Sequence, residues 1–194
     1  MPKIKEITVY SFAELSESAK ANALQKLWDI NVDHDWYDYT TSDFKDENEF
    51  FDVDNVYFSL SYSQGDGAMF EYSGAKDKLR EMFAATLSKR EKVIFAECTT
   101  FASGKHRGHY YHPGCCEHSI SMDFELWFDY LNCQKVVEKI EGQWIEFVKD
   151  KYNDLCHELY KNLNREYDYL TSETAIIETI ECNEYEFDEY GNIA

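Results

Sequence analysis

Val56 to Gly74 reads VYFSLSYSQGDGAMFEYSG: a strand, a glycine-bearing loop and a second strand. In the first strand Val56, Phe58, Leu60 and Tyr62 fall on one face, and Tyr57, Ser59, Ser61 and Ser63 on the other. That is a period of two with one half-polar face. The loop is Ser63-Gln64-Gly65-Asp66-Gly67-Ala68, whose two glycines allow positive φ and close approach of backbone amides to a neighbour. An antiparallel hairpin therefore sits at the centre of the chain.

Working outward, residues 3–10 (KIKEITVY) predict a short strand with Ile7 and Val9 on one face. Ser16 is a candidate N-cap for a helix with Glu17 in its first turn, and Ala23, Leu27 and Ile30 give its core stripe. Asp33 and Asp35 can start a second, intensely acidic helix running from Trp36 to about Phe51. After the hairpin, Leu79, Met82, Phe83 and Leu87 fit a helix over 75–88, and Lys92 to Phe101 (KVIFAECTTF) is apolar and β-prone. Glu117 to Asp129 alternates cleanly, with Ile120, Met122, Phe124, Leu126 and Phe128 on one face, so Ala102 to Gly114 becomes the turn of a long hairpin. From Cys133 to about Leu170 apolar residues recur every three or four positions, about 57 Å of helix if unbroken, with Gly142 as the expected kink. Ser172 or Thr171 caps a last helix through Ile180, and the tail EYEFDEYGNIA is left for an edge strand or a loose end.

Strands in one adjacent group with helices before and after predict an α+β fold with an antiparallel sheet of about four to five strands. The expected organisation is a single domain over 1–194: helices plus sheet core to 130, a helical part over 131–182 and a tail from 183. The six cysteines lack a secreted-domain framework spacing and are expected as free thiols. MPKIKEITVY holds no apolar run of signal-peptide length, and nowhere do 18 apolar residues run together. The expectation is a cytoplasmic protein without membrane contact.

Net charge is −19, and it is unevenly placed. Residues 29–54 hold ten acids against one base, and residues 150–194 hold twelve against three. Each block is thus −9, which leaves the rest of the chain near neutral. Such a field repels nucleic acid and anionic membrane and attracts cations or basic protein surfaces. The candidate partner surface is Asp33, Asp35, Asp38, Asp43, Asp46, Glu47 and Glu49; the plainer reading of the same acids is solubility.

Two further stretches could carry chemistry. In the hairpin loop no P-loop lysine follows the glycines and Asp66 would repel an anion, which argues against a phosphate cradle. Ser63, Gln64 and Asp66 suit a cation or a sugar hydroxyl; the glycines equally suit an ordinary hairpin loop. The second stretch, Lys105 to His118, puts four histidines and two cysteines within the thirteen residues 106–118. His106, Arg107, His109, Tyr111 and His112 form a candidate basic, aromatic binding tip. His106, His109, His112 and Cys115 are candidate ligands for zinc or another divalent metal, although the spacing matches no standard zinc arrangement. On a strand His106 and His112 would share a face and His109 would not. No GxSxG, HExxH or dinucleotide fingerprint occurs, so no catalytic set is assigned.

The stretches ELSESAKANALQKLWDINVDHDW, YFSLSYSQGDGAMFEYSG, KHRGHYYHPGC and NREYDYLTSETAIIETIECNEYEFDEYG resemble a family of bacteriophage and prophage proteins that often carry the label "antitoxin of toxin-antitoxin stability system". SQGDGA and HRG-YYH are the specific elements; Leu60-Ser61-Tyr62 departs from the SGF-like triplet usual there. The resemblance implies phage origin, a setting in the infected bacterial host, and a stand-alone protein. With the charge map it suggests an inhibitor that docks on the basic groove of a nucleic-acid-handling defence factor of restriction or CRISPR type. A nucleotide- or metal-binding protein or enzyme at the loop and tip, and an antitoxin against a basic toxin, are the alternatives; a homodimer stays open.

Overall fold

A computed structural model describes residues 8–61, 63–124 and 130–194, with side chains from residue 133 in the last segment. The fold is α+β. A four-stranded antiparallel sheet has the order β2 (Phe51–Ser59), β3 (Gly67–Ala75), β4 (Cys98–His106), β5 (Cys116–Phe124), and a two-stranded sheet pairs β1 (Tyr10–Ser11) with β6 (Glu186–Phe187). Helices are α1 (Glu17–Lys26), α2 (Asp38–Glu47), α3 (Asp77–Thr86), α4 (Lys89–Ala96), α5 (Tyr130–Leu170) and α6 (Glu173–Cys182). Among the described residues no helix is long and apolar enough to cross a membrane. The chain divides into two compact units, Met1–Tyr39 with Leu163–Ala194, and Thr40–Asn162.

In the first unit Ser16 caps α1 as expected, its hydroxyl accepting from the Ala19 amide at 3.3 Å. The inward stripe is Ala19 and Ala23, small enough to let α1 approach closely, and they join Phe12, Leu15, Ile176, Ile180 and Phe187 in one core. Ser172 caps α6 through the Ala175 amide. The far end of α6 closes with the Tyr185 amide on the Ile180 carbonyl at 3.1 Å and the Glu184 amide on the Glu181 carbonyl at 3.2 Å. This is a Schellman closure, and its left-handed position holds Glu184 (φ 52) where glycine is usual. The tail then runs into β6, which pairs with β1. Residues 3–7 of the expected first strand lie outside the described residues.

In the second unit the central hairpin pairs Val56 with Phe70 and Ser59 with Gly67. It begins earlier than its alternation suggests: Phe51, expected in a helix, opens β2, and register shifts at Val53 let the strand carry the acids of its first half outward. The second strand also starts earlier, at Gly67, two residues inside the expected loop. Helix α2 ends at Glu47, where the Asn48 side chain bonds back to the Phe44 carbonyl at 2.9 Å. Lys92 to Ala96 corrects a β reading. Ser88 and Glu91 form a capping box, so α4 turns Ile94 and Phe95 inward and β4 follows it at Cys98. Strand β4 pairs with β5 from Cys98↔Phe124 to His106↔Cys116, so the turn is confined to 107–115. The alternation of β5 holds through Met122 (buried) and Asp123 (exposed); residues 125–129, including Leu126 and Phe128, lie outside the described residues.

Helix α5 runs 41 residues without a break at Gly142, where the space a Cβ would occupy is open. With nothing crowding the helix there, glycine lowers propensity but supplies no cause for a kink. In the second unit its Ile140, Trp144, Val148 and Tyr152 are fully buried together with Met69, Phe70, Tyr72, Leu79 and Phe83.

Candidate functional site

The sheet of the second unit brings the two motif stretches together. The SQGDGA loop lies against the turn that follows β4: a Cβ on Gly65 would sit 2.5 Å from the Tyr110 ring, and one on Gly67 would sit 2.9 Å from the Tyr111 carbonyl oxygen. Backbone of the second loop thus requires glycine at position 67, whereas at Gly65 the obstacle is a side chain that can move.

Asp66 organises the first loop. Its carboxylate accepts from the hydroxyls of Ser59 (2.9 Å), Ser61 (2.9 Å) and Ser63 (3.3 Å) and from the amides of Ser61 (3.1 Å) and Ser63 (3.0 Å). Desolvation opposes ionisation here, but these donors outweigh it and hold the carboxyl at about 2. Five donors leave little capacity for a cation, so Asp66 and Ser63 act as a latch; Gln64 beside them is exposed.

Glu71 does the same work on the second loop. Oε2 accepts from Asn55 Nδ2 at 2.9 Å and from the Tyr57 hydroxyl at 3.2 Å, and Oε1 accepts from the His106 amide at 3.0 Å. The Asn55 bond, then that amide, lower its pKa. Above it Tyr57 and Tyr111 stack at 5.8 Å, with the His106 ring 5.0 Å from Tyr57. His106 Nε2 lies 3.1 Å from the Tyr110 carbonyl oxygen, which fixes the tautomer with the proton on that nitrogen. Arg107 is exposed and paired with Glu117 at 2.5 Å. His109 is exposed at the tip.

The histidines do not converge. His106 ends β4 opposite Cys116, whereas His112 precedes the short 3-10 helix Pro113–Cys115, so the shared strand face expected for them does not form. Cys115 Sγ lies 3.8 Å from His112 Nδ1 and 3.6 Å from Nε2. Near-equal distances to both nitrogens place the sulfur against the face of the ring rather than in line with either nitrogen. Among the described residues no three His, Cys, Asp or Glu side chains gather as a metal set, the candidates His106, His109, His112 and Cys115 included.

Beneath the sheet lies a cluster that the site reading missed. Tyr72 Oη is 2.9 Å from His118 Nδ1, the His118 ring meets Tyr152 edge-on at 4.7 Å, and the Tyr152 hydroxyl donates to the Phe70 carbonyl at 2.9 Å. Burial pushes His118 down to about 4, aided by nearby Lys149, and the imidazole is neutral. Burial also raises Cys116 and pushes Cys156 up to about 12, so both are unreactive thiols. All six cysteines are free. Tyr152 and Cys156 one helical turn apart on an apolar stripe were the available signal, as was Glu71 between two aromatics.

The seven acids of the predicted partner surface are all exposed. Asp33 contacts His34 at 3.1 Å, and Asp35 accepts from Tyr37 at 3.0 Å. Those two and Asp38 belong to the first unit, whereas Asp43, Asp46, Glu47 and Glu49 belong to the second. In the second unit Asp46 and Glu49 join Asp52 and Asp54 along a groove of about 650 Å³. Its two bases are engaged locally: Lys76 pairs with Asp52 at 3.2 Å, and Lys45 donates to the Asp54 carbonyl at 3.0 Å.

No curated protein and no solved structure matches the chain. Residues 36–173 match the family model described as a domain of unknown function (DUF8835), and since that span is most of the chain, the protein belongs to this family.

Proposed function

We propose that the protein is a binding protein that engages the basic surface of a protein partner. The observation that carries this reading is the groove of the second unit, lined by four acids (Asp46, Glu49, Asp52 and Asp54) against two lysines, with Asp52 paired to Lys76 at 3.2 Å and Glu49 to Lys78 at 3.3 Å. The two motif loops, by contrast, spend their polar groups within their own hairpins and pack on each other at Gly65 and Gly67, which makes them scaffold. A partner that itself holds nucleic acid in a basic groove, such as a restriction or CRISPR nuclease, fits an acid array that competes with phosphate. The phage resemblance supports that class, and an antitoxin against a basic toxin would use the same surface.

The test is capture of the partner from the native host at low and high salt, with the purified full chain as bait. Binding that weakens steeply with salt and is lost in the Asp46→Lys/Glu49→Lys variant supports the groove. Salt-independent binding, or binding that survives charge reversal, sinks it.

A further inference from the structure

The first unit contains a cavity of about 390 Å³ between Val9–Glu14 and the far end of α6. Val9, Tyr10, Phe12, Ile180 and Tyr185 give it an apolar and aromatic lining. Around them stand Glu14, Glu181, Glu184 and Glu186, and no lysine, arginine or histidine lines it among the described residues. Glu14 is used locally, its carboxylate accepting from the Ser11 amide and hydroxyl at 2.9 and 2.8 Å. The other three are exposed, and the Schellman closure of α6 fixes the chain that bears them.

We infer that this cavity takes an arginine side chain from a basic protein partner, an inference that rests on the reading above and adds an anchor to it. The chemistry matches part by part. The apolar lining accepts the aliphatic stem, the tyrosine rings offer faces for a planar guanidinium, and the carboxylates meet its charge. An anion or an uncharged polar guest would face three carboxylates without a compensating base among the described residues. The volume lies within the range of small-ligand sites and suits one side chain rather than a whole element of secondary structure.

The experiment is calorimetric titration of the full chain with two capped peptides, tetra-arginine and tetra-lysine, at low salt. Tetra-arginine should bind saturably and more than threefold tighter than tetra-lysine, because bulk charge alone would treat the two alike. The Glu181→Gln/Glu184→Gln/Glu186→Gln variant, checked for an unchanged melting temperature, should bind tetra-arginine at least tenfold more weakly. Asp46→Asn/Glu49→Asn in the other unit should change it less than threefold. Equal affinity for the two peptides, no saturable binding, or a loss that follows Asp46 and Glu49 instead would overturn the inference. Displacement of tetra-arginine by spermidine at matching affinity would reassign the cavity to a small polyamine and overturn it as well. None of these results touches the salt-dependent partner capture, so the groove reading stands or falls separately.

Discussion

Asp66 and Glu71 in the second unit and Glu181, Glu184 and Glu186 in the first are carboxylates used in opposite ways. Asp66 collects five donors and Glu71 three, all from their own hairpin and the adjoining strand β4. The three glutamates at the end of α6 stand exposed around an apolar cavity. A carboxylate that is saturated by serine hydroxyls and backbone amides stabilises the fold and has little left for a partner. One that stands in water keeps its capacity for a cation and adds little to folding. The most distinctive residues of the sequence are therefore scaffold, and the less distinctive acids are the candidates for recognition.

The comparison can be broken most forcefully at the glycines that let the two motif loops touch. Gly67→Val should cost about 2–3 kcal/mol in guanidinium denaturation, since its side chain would meet the backbone at Tyr111 and His112, which cannot rotate away. Gly65→Ala should cost under about 1 kcal/mol, because the obstacle is the exposed Tyr110 ring, which can move. Equal losses at the two positions would show that the loops do not pack as described.

The latch has a pH signature. Asp66 has a folded value of about 2 against an ordinary 3.8, so its contribution is full above 3.8 and is lost as pH falls toward 2. Asp66→Asn should flatten the stability profile in that window and lower it by a constant amount above pH 5. His118 acts in a separate window. Its folded value of about 4 lies below the ordinary 6.5, so the unfolded chain binds the proton first and stability falls as pH drops from 6.5 to 4. His118→Gln should remove that slope, and a slope that persists would place the titration elsewhere.

Smaller effects sharpen the other side of the comparison. Glu184→Gly should raise stability by about 1 kcal/mol by relieving a left-handed non-glycine residue, while it removes one carboxylate from the cavity. Glu181→Gln and Glu186→Gln should stay within about 0.5 kcal/mol of the parent in thermal melts. A clear loss in either would mean that those acids, too, are spent on the fold.

Several features were legible in advance because they depend on local chemistry: the serine caps of α1 and α6, the alternation of β5, the central hairpin and the α+β class. The period of two and the capping residues act over a few positions, so no distant contact is needed to read them. The strand reading of Lys92 to Ala96 failed because its apolar residues suit either period, and the Ser88–Glu91 capping box decided the matter from upstream. Gly142 failed in the opposite sense, since a glycine marks a kink only when something presses on the helix. The division of the acidic stretch between two compact units left no local trace, because contacts between residues far apart in the chain set it. The opening hairpin shows the same split. Its strands, loop and glycines follow from VYFSLSYSQGDGAMFEYSG, but what the glycines are for does not. Only the folded chain brings Tyr110 and Tyr111 onto Gly65 and Gly67, from a turn more than forty residues away, and so turns an apparent ligand loop into a packed latch.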